Sequence, residues 1–158
     1  MHNRNTSNLF TSINHIIILL IMSIISACQN TTTTDLTFAS ANLNIVTEAT
    51  TLPVTIEIAD TDTKREQGLM YRQSLGVNSG MLFIFDESAP HPFWMKNTYI
   101  SLDILFINAN KEIIYIEENT TPLSEELITS SDNSLYVLEL NAGYVNTNHV
   151  EVGHVVNF

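Results

Sequence analysis

The sequence is short of cysteine and of basic residues. Cys28 is the only cysteine among 158 residues, so no intrachain disulfide can form, even in an oxidising compartment. Six lysines and arginines stand against 17 acidic residues, which gives a net charge of −11. Such an excess of acid argues against nucleic acid as a partner and against electrostatic docking on anionic lipid.

The sequence also lacks an apolar run long enough to span a membrane. The run at 16–25 covers about ten residues, whereas a spanning helix needs about 20. It follows a weakly basic start that contains Arg4, and it ends in the small residues Ser26 and Ala27. This pattern predicts a secretory signal over residues 1–27.

Cys28 directly follows that run. The sequence Ile25-Ser26-Ala27-Cys28 resembles a bacterial lipobox, in which the signal is cut before the cysteine and the thiol is lipidated. The alternative is a free thiol in an ordinary secreted protein. Several acyl chains hold a protein stably on a membrane, so we expect an exported lipoprotein whose partner is the lipid bilayer. Gln29 is not the Asp that retains some lipoproteins in the inner membrane, which favours the outer membrane, with the domain facing the periplasm or the cell surface.

Residues 28–42 predict a tether after the lipidated cysteine. The segment is rich in Asn and Thr, includes Thr31 to Thr34 in a row, and has no apolar periodicity. Processing would remove Arg4 as the only charged residue, so the mature net charge becomes −12. We expect one folded domain over residues 43–158.

The folded part reads as a series of short strands. Asp60 to Thr63 offers helix caps, and Thr63 and Glu66 have the spacing of a capping box, so a short helix should follow and end near Met70. Asn108 to Lys111 separates two of the strands as a hairpin turn. The predicted strands are Val54–Ile58, Met81–Phe85, Leu102–Ile107, Glu112–Glu117, Leu135–Leu140, Val150–Val152 and Val155–Phe158. The predicted fold class is mainly β, a β-sandwich or flattened barrel of short strands with one short helix.

Asp103 interrupts one of these strands. The even positions from Ile100 to Phe106 are all apolar, whereas Asp103 shares the odd face with Tyr99 and Ser101. A carboxylate at such a border needs a hydrogen-bond or charge partner.

Two cations are candidates for that partner. Lys96 and Trp94 lie on the opposite side of a straight strand, so a Lys96–Asp103 pair requires a bend, which Asn97 would favour. The other candidate is Arg72, after the helix.

Four segments together resemble a known family. They are "IEIADTDTKREQGLMYRQSL", "GMLFIFD", "FWMKNTYISLDILFI" and "VLELNAG", in this order. They closely resemble the domain of unknown function 192 family, small bacterial and archaeal proteins that are often exported, and the resemblance covers residues 43–158. It implies a mainly β, sandwich-like fold and no reaction, because the family's activity is not established.

The resemblance also implies which positions belong to the family's motifs. Ser101 departs from the usual Pro, so the turn before Asp103 is less rigid, and His154 stands where an Asp is common. The matching positions are Gly68, Leu69, Met70, Arg72, Gly80, Met81, Phe83, Trp94, Met95, Lys96, Asn97, Leu102, Asp103, Leu138, Glu139 and Gly143.

Five of the polar and aromatic residues form the candidate site. They serve either as structural groups or as a cleft with an aromatic floor, a cation, an amide and a carboxylate, which is how small polar ligands are held. The five are Arg72, Trp94, Lys96, Asn97 and Asp103. We expect a non-enzymatic module that binds a small polar ligand or an envelope partner, without cofactor or metal.

The sequence also contains candidate residues for two other functions. A hydrolase-like enzyme could use Asp103 with Lys96 or His91, but the sequence has no nucleophile elbow, usable cysteine or phosphate loop. A Cu(I) site could use soft ligands, which this exported protein offers. The simpler interpretation is that the methionines pack in the core. Those ligands are Met70, Met81, His91 and Met95.

Overall fold

The computed structural model describes residues 36–158, which hold seven strands and two short helices. The elements are β1 Ala39–Val46, β2 Thr51–Ala59, α1 Asp62–Gln67, β3 Ser79–Ala89, β4 Leu102–Ile107, β5 Ile113–Glu117, β6 Ser134–Asn141, α2 Tyr144–Asn148 and β7 Val155–Asn157. The predicted mainly β fold is confirmed. The prediction of one helix was wrong, because α2 forms a second one directly after β6.

The strands form one curled sheet in the order β5-β4-β6-β3-β2-β1-β7. All neighbours are antiparallel except β2 and β3, which are parallel and are connected through α1, as a parallel pair requires a crossover. Glu112, just before β5, forms a bridge with Val155 of β7. The two ends of the sheet therefore meet at one corner, and the sheet is a half-barrel.

The β4–β5 hairpin forms where it was predicted, although β5 begins at Ile113, one residue later than predicted, and its turn is locally determined. The Asn108 side chain accepts hydrogen bonds from the backbone N–H groups of Asn110 at 2.9 Å and Glu112 at 3.1 Å. Lys111 takes a φ of +66° to complete the turn. An Asn that bonds its own backbone is a standard turn device, which is why the sequence was sufficient here.

The N-cap of helix α1 is Thr61, two residues before the predicted cap Thr63. The Thr61 hydroxyl, not that of Thr63, accepts the N–H of Lys64 at 3.4 Å. The helix ends at Gly68, whose φ is +45°. A Cβ at Gly68 would lie 3.2 Å from the Phe83 ring, so glycine suits both the backbone and the packing here.

The sheet is covered on both faces. The first, which we call the helix face, packs against Tyr144, Val145 and Val150; its strand residues are Leu43, Ile45, Val54, Ile56, Leu82, Leu105, Ile107, Leu138 and Leu140. The second, the loop face, packs against Leu69 and Met95; its strand residues are Ala59, Met81, Phe83, Leu102, Ile104, Phe106 and Val137. The odd-numbered side of β4 was expected to be partly polar, but every residue of β4 is buried.

The folded part begins before Leu43. Ala39 pairs with Ile58, and Asn42 pairs with Thr55, whose hydroxyl donates a hydrogen bond to the Asn42 side chain at 3.1 Å. Residues 39–42 therefore belong to β1, and the tether predicted over 28–42 is too long at its C-terminal end. The polar composition of residues 39–42 is compatible with a strand because Ala39, Ser40 and Asn42 are exposed.

The predicted signal and Cys28 lie outside the described residues. Within residues 36–158, no helix is both long and apolar enough to cross a membrane.

Candidate functional site

Asp103 is a structural residue on the helix face. It is fully buried, and its two carboxyl oxygens accept hydrogen bonds from the backbone N–H groups of Asn119 and Val145, both at 2.9 Å. It thus ties β4 to the start of α2 and to the loop after β5. The predicted ion pair of Asp103 with Lys96 or Arg72 was wrong, because two backbone amides take the place of a cation. The same two hydrogen bonds occupy the carboxylate that the hydrolase alternative would use as its central catalytic group.

The bend predicted at Asn97 is present. Asn97 has a φ of +57°. Its side-chain NH₂ group donates to the Tyr71 hydroxyl at 2.9 Å, and its backbone carbonyl accepts a hydrogen bond from the Tyr71 N–H at 2.8 Å. The bend does not turn Lys96 toward Asp103. Instead the Lys96 ammonium lies 4.8 Å from the centre of the Trp94 ring, a cation–π contact.

Arg72 binds a different carboxylate, Glu57 of β2. Its guanidinium donates to both carboxyl oxygens, with a distance of 2.9 Å from Nη1 to Oε1. This hydrogen-bonded pair holds the pKa of Glu57 below its usual value. The five predicted residues therefore occupy three places: Asp103 on the helix face, Arg72 beside Glu57, and the other three near one another at the bend.

Trp94, Lys96 and Asn97 line a shallow hollow of about 360 Å³ beside α1. The hollow shares Trp94 and Met70 with a deeper cavity of about 270 Å³ on the loop face. That deeper cavity is lined by Arg65, Glu66, Gln67, Gly68, Leu69, Met70, Phe83, Phe85, Pro92, Phe93, Trp94, Thr98 and Glu139. Trp94 is thus the predicted residue that joins the surface to the interior.

Glu139 of β6 is the residue that the candidate set missed. It pairs with Met81 of β3 and Ile104 of β4, which places its side chain on the loop face, where it lines the deeper cavity. Its exposure is 5%, and its Oε2 has no hydrogen-bond partner. A single acid inside the apolar sequence Val-Leu-Glu-Leu was the available signal.

Burial raises the pKa of Glu139 to about 8, and the Arg72 cation opposes this rise only in part. At neutral pH the group is therefore mainly a neutral carboxylic acid, which can donate one hydrogen bond. Native structures leave few buried polar atoms unpaired. An unpaired acid that lines a cavity is thus the feature of this domain that most needs a functional explanation.

The cavity walls are aromatic and held in place. Phe93 meets Phe83 edge to face with ring centres 5.0 Å apart, and Phe85 stacks on His91 at 3.5 Å. The Arg65 guanidinium lies 5.3 Å from the centre of the Phe85 ring. It also donates to the Ile84 carbonyl at 2.6 Å and to the Asp62 carboxylate at 2.6 Å. Arg65 therefore closes one side of the cavity and is paired with the exposed Asp62 carboxylate.

The four candidate Cu(I) ligands occupy different places in the domain. Met81 and Met95 are 0% and 1% exposed and belong to the core of the loop face. Met70 lines the cavity, and His91 stacks on Phe85. Within residues 36–158, no cluster of three or more His, Cys, Asp or Glu side chains has an arrangement suited to a metal ion.

Comparisons with known proteins agree with this architecture. One solved structure, a protein from Sinorhizobium meliloti 1021 proposed to be a transcription regulator, is 42% identical with a TM-score of 0.76, and the match covers 78% of this chain and 96% of that one. A protein of unknown function from Novosphingobium aromaticivorans DSM 12444 is 28% identical with a TM-score of 0.74, over 75% and 85% of the two chains. A search of curated proteins gave no match.

A family model matches most of the folded part. It is the model of the DUF192 family, described as "Uncharacterized ACR", and it matches residues 44–158, well over half of the chain. The resemblance seen in the four sequence segments is thereby confirmed. The chain belongs to the DUF192 family.

Proposed function

We propose that this protein is a membrane-anchored binding module that takes a small polar ligand in the cavity above Glu139. The observation that carries the proposal is the unpaired Oε2 of Glu139, a buried polar atom that lines an aromatic cavity. A buried polar group without a partner costs about 1–3 kcal/mol. A ligand that hydrogen-bonds to Glu139 would remove that cost, which favours binding at this position.

The chemistry of the cavity supports binding rather than catalysis. Its walls are mostly apolar and aromatic with a few polar groups, which is typical of small-molecule sites. The Thr98 hydroxyl donates to the Lys96 carbonyl at 3.3 Å, so it holds the loop rather than standing beside Glu139 as a nucleophile. Lys96 is occupied by Trp94 and Asp103 by backbone amides. Neither supports the hydrolase alternative.

The proposed setting is the outside of a membrane. The lipobox-like sequence that ends in Cys28 supports export and lipidation, with the outer membrane favoured and the lipid bilayer as partner. The Sinorhizobium relative is proposed to be a transcription regulator. For this chain a net charge of −11 disfavours nucleic acid as the ligand, since DNA binding depends on cations that neutralise phosphates. An envelope protein remains the alternative partner.

A ligand screen of the domain from residue 36 onward, read by amide chemical-shift changes, tests this function. We expect at least some small polar compounds to shift residues around Glu139 and Trp94 in a saturable way and to raise the melting temperature. Trp94→Ala removes a cavity wall and should weaken those ligands. Tyr99→Ala is the matched control, because Tyr99 has a similar exposure, 44% against 42%, and does not line the cavity. A site at Glu139 would be disproved if ligands bound only elsewhere on the domain, or if neither variant changed their affinity.

A further inference from the structure

We infer that the ligand of the Glu139 cavity is a small organic ammonium ion, an inference that rests on the proposed function and narrows it. Two features of the cavity recognise such a cation: a carboxyl group with an unpaired oxygen, and a wall of aromatic rings. Together they offer an ammonium both an ion-pair partner and a π surface.

The aromatic wall suits a cation. Phe83, Phe85, Phe93 and Trp94 all line the cavity, and aromatic rings attract ammonium groups through the negative faces of their π systems. Phe85 already has Arg65 over its ring and Trp94 has Lys96, so Phe83 and Phe93 are the rings that a ligand cation would use. Quaternary and alkylated ammonium groups are commonly held in such cages. Phe93 contacts Phe83 and Phe85 edge to face, so the cavity wall contains rings in more than one orientation.

The charges around Glu139 leave the cavity open to a cation. Arg72 is hydrogen-bonded to Glu57 and Arg65 to Asp62, and neither guanidinium is hydrogen-bonded to Oε2 of Glu139. The Arg72 charge offsets the effect of burial on the Glu139 pKa only in part. Glu66 of α1 adds a further acid to the cavity lining. In the row across the sheet, Glu57 lies beyond Met81 on one side of Glu139, and Glu117 lies beyond Ile104 on the other. The overall negative charge also attracts cations toward the surface.

The size of the cavity limits the ligand. A volume of about 270 Å³ lies just below the usual range of small-molecule sites, roughly 300 to 1,000 Å³. A butylammonium or tetramethylammonium ion is of suitable size. Larger ligands, such as a nucleotide, would need to extend past Trp94 into the neighbouring hollow.

Binding of an ammonium should release a proton. Burial raises the pKa of Glu139 to about 8, so below that pH the empty site holds the carboxylic acid. The cation pairs best with the carboxylate, and the proton of Glu139 then leaves to solvent. Affinity should therefore rise about tenfold per pH unit below the pKa and level off above it.

Titration calorimetry of the domain from residue 36 onward at pH 6, 7 and 9 tests the inference with matched probes. The cations are butylammonium and tetramethylammonium, and the neutral counterparts are 1-butanol and neopentyl alcohol. Tetramethylammonium cannot lose a proton, so any proton released comes from the protein. We expect both cations to bind about tenfold more tightly at pH 7 than at pH 6. Release should approach one proton at pH 6–7, measured in buffers of different ionisation enthalpy, and the alcohols should bind more weakly.

Variants separate this inference from the proposed function. Glu139→Gln should abolish proton release and weaken the cations at least tenfold at pH 9, while Tyr99→Ala should leave both unchanged. Alcohols that bind as tightly as the cations, without proton release, would overturn the ammonium inference and leave the binding function intact. So would a failure of all four probes when the wider screen finds other cavity ligands. If that screen also finds none, both ideas are wrong.

Discussion

Glu57 and Glu139 lie in one row across the sheet, separated by Met81, and their carboxyl groups have opposite environments. Arg72 donates two hydrogen bonds to Glu57, which lowers its pKa. Glu139 has an oxygen without a partner, and burial raises its pKa to about 8. The difference arises from access: Glu57 is near the surface, where Arg72 can reach it, whereas Glu139 is covered by the loop face.

The raised pKa of Glu139 predicts a domain that loses stability as the pH rises. Its ordinary pKa is 4.5, so between about pH 4.5 and 8 the unfolded chain has released this proton and the folded domain still holds it. The folded state binds more protons, and the free energy of unfolding therefore falls with pH in this window. The total loss should be about 5 kcal/mol, most of it complete by pH 8.

Urea unfolding of wild type and Glu139→Gln at a series of pH values measures this loss. The neutral amide cannot ionise, so the variant should lack the downward slope and become the more stable protein near pH 9. Subtracting the two curves removes contributions from the other titrating groups. Parallel curves across the window would show that Glu139 has the same pKa in the folded and unfolded states and would contradict the prediction.

The Arg72–Glu57 pair should show measurable coupling. Their side chains are 28% and 35% exposed, so solvent screens the pair, and a coupling of about 1 kcal/mol is expected from a cycle of Arg72→Met and Glu57→Gln. The Arg72 cation also lowers the pKa of Glu139. Arg72→Met should therefore raise that pKa further, and the carboxyl carbon signal of Glu139 in NMR would report it. An unchanged Glu139 titration would mean that Arg72 does not influence the cavity.

Local patterns in the sequence predicted those parts of the fold that local chemistry determines. The β4–β5 hairpin follows from Asn108, whose side chain shapes its own turn, and the bend follows from the tolerance of Asn97 for a positive φ. The core character of Met81 also follows from its apolar neighbours. The strand order could not be predicted, because it depends on which distant strands pair.

Long-range packing accounts for the errors at the site. Asp103 looked like a group at a polar border because no local pattern shows that α2 would cover that side of β4 and supply the Val145 N–H. Glu139 looked like one acid among many, although its position in an apolar strand was visible. Its importance depends on the loop containing Trp94 and on α1, which enclose it only in the folded domain.

Asp103→Asn should destabilise the domain without affecting ligands. The amide can accept only one of the two backbone hydrogen bonds, and its NH₂ group would face either Asn119 N–H or Val145 N–H. We expect a loss of roughly 2–5 kcal/mol, since a buried donor is left unpaired in a charge-assisted pair of bonds. Chemical denaturation measures the loss. Cavity ligands should bind the folded variant normally, because Asp103 and Glu139 point to opposite faces.

Asp103→Asn also tests whether Asp103 has a cationic partner. Double-mutant cycles of Asp103→Asn with Lys96→Met and with Arg72→Met should both give coupling energies near zero, because neither cation contacts Asp103 in the fold. Coupling above about 1 kcal/mol in either cycle would restore the ion pair that the sequence suggested and contradict the backbone contacts described above.

Replacement of Cys28 tests the proposed membrane anchor. The apolar run and the lipobox-like end predict cleavage before Cys28 and lipidation of its thiol, so Cys28→Ser should move the domain from the membrane fraction to the soluble fraction. Intact mass measurement of the purified wild-type protein should show the loss of residues 1–27 and the added acyl mass. Ser26→Thr is a control that alters the lipobox without removing the thiol. A wild-type protein that fractionates as soluble, with an unmodified thiol, would rule out the anchor and leave the Glu139 cavity as the function of a free domain.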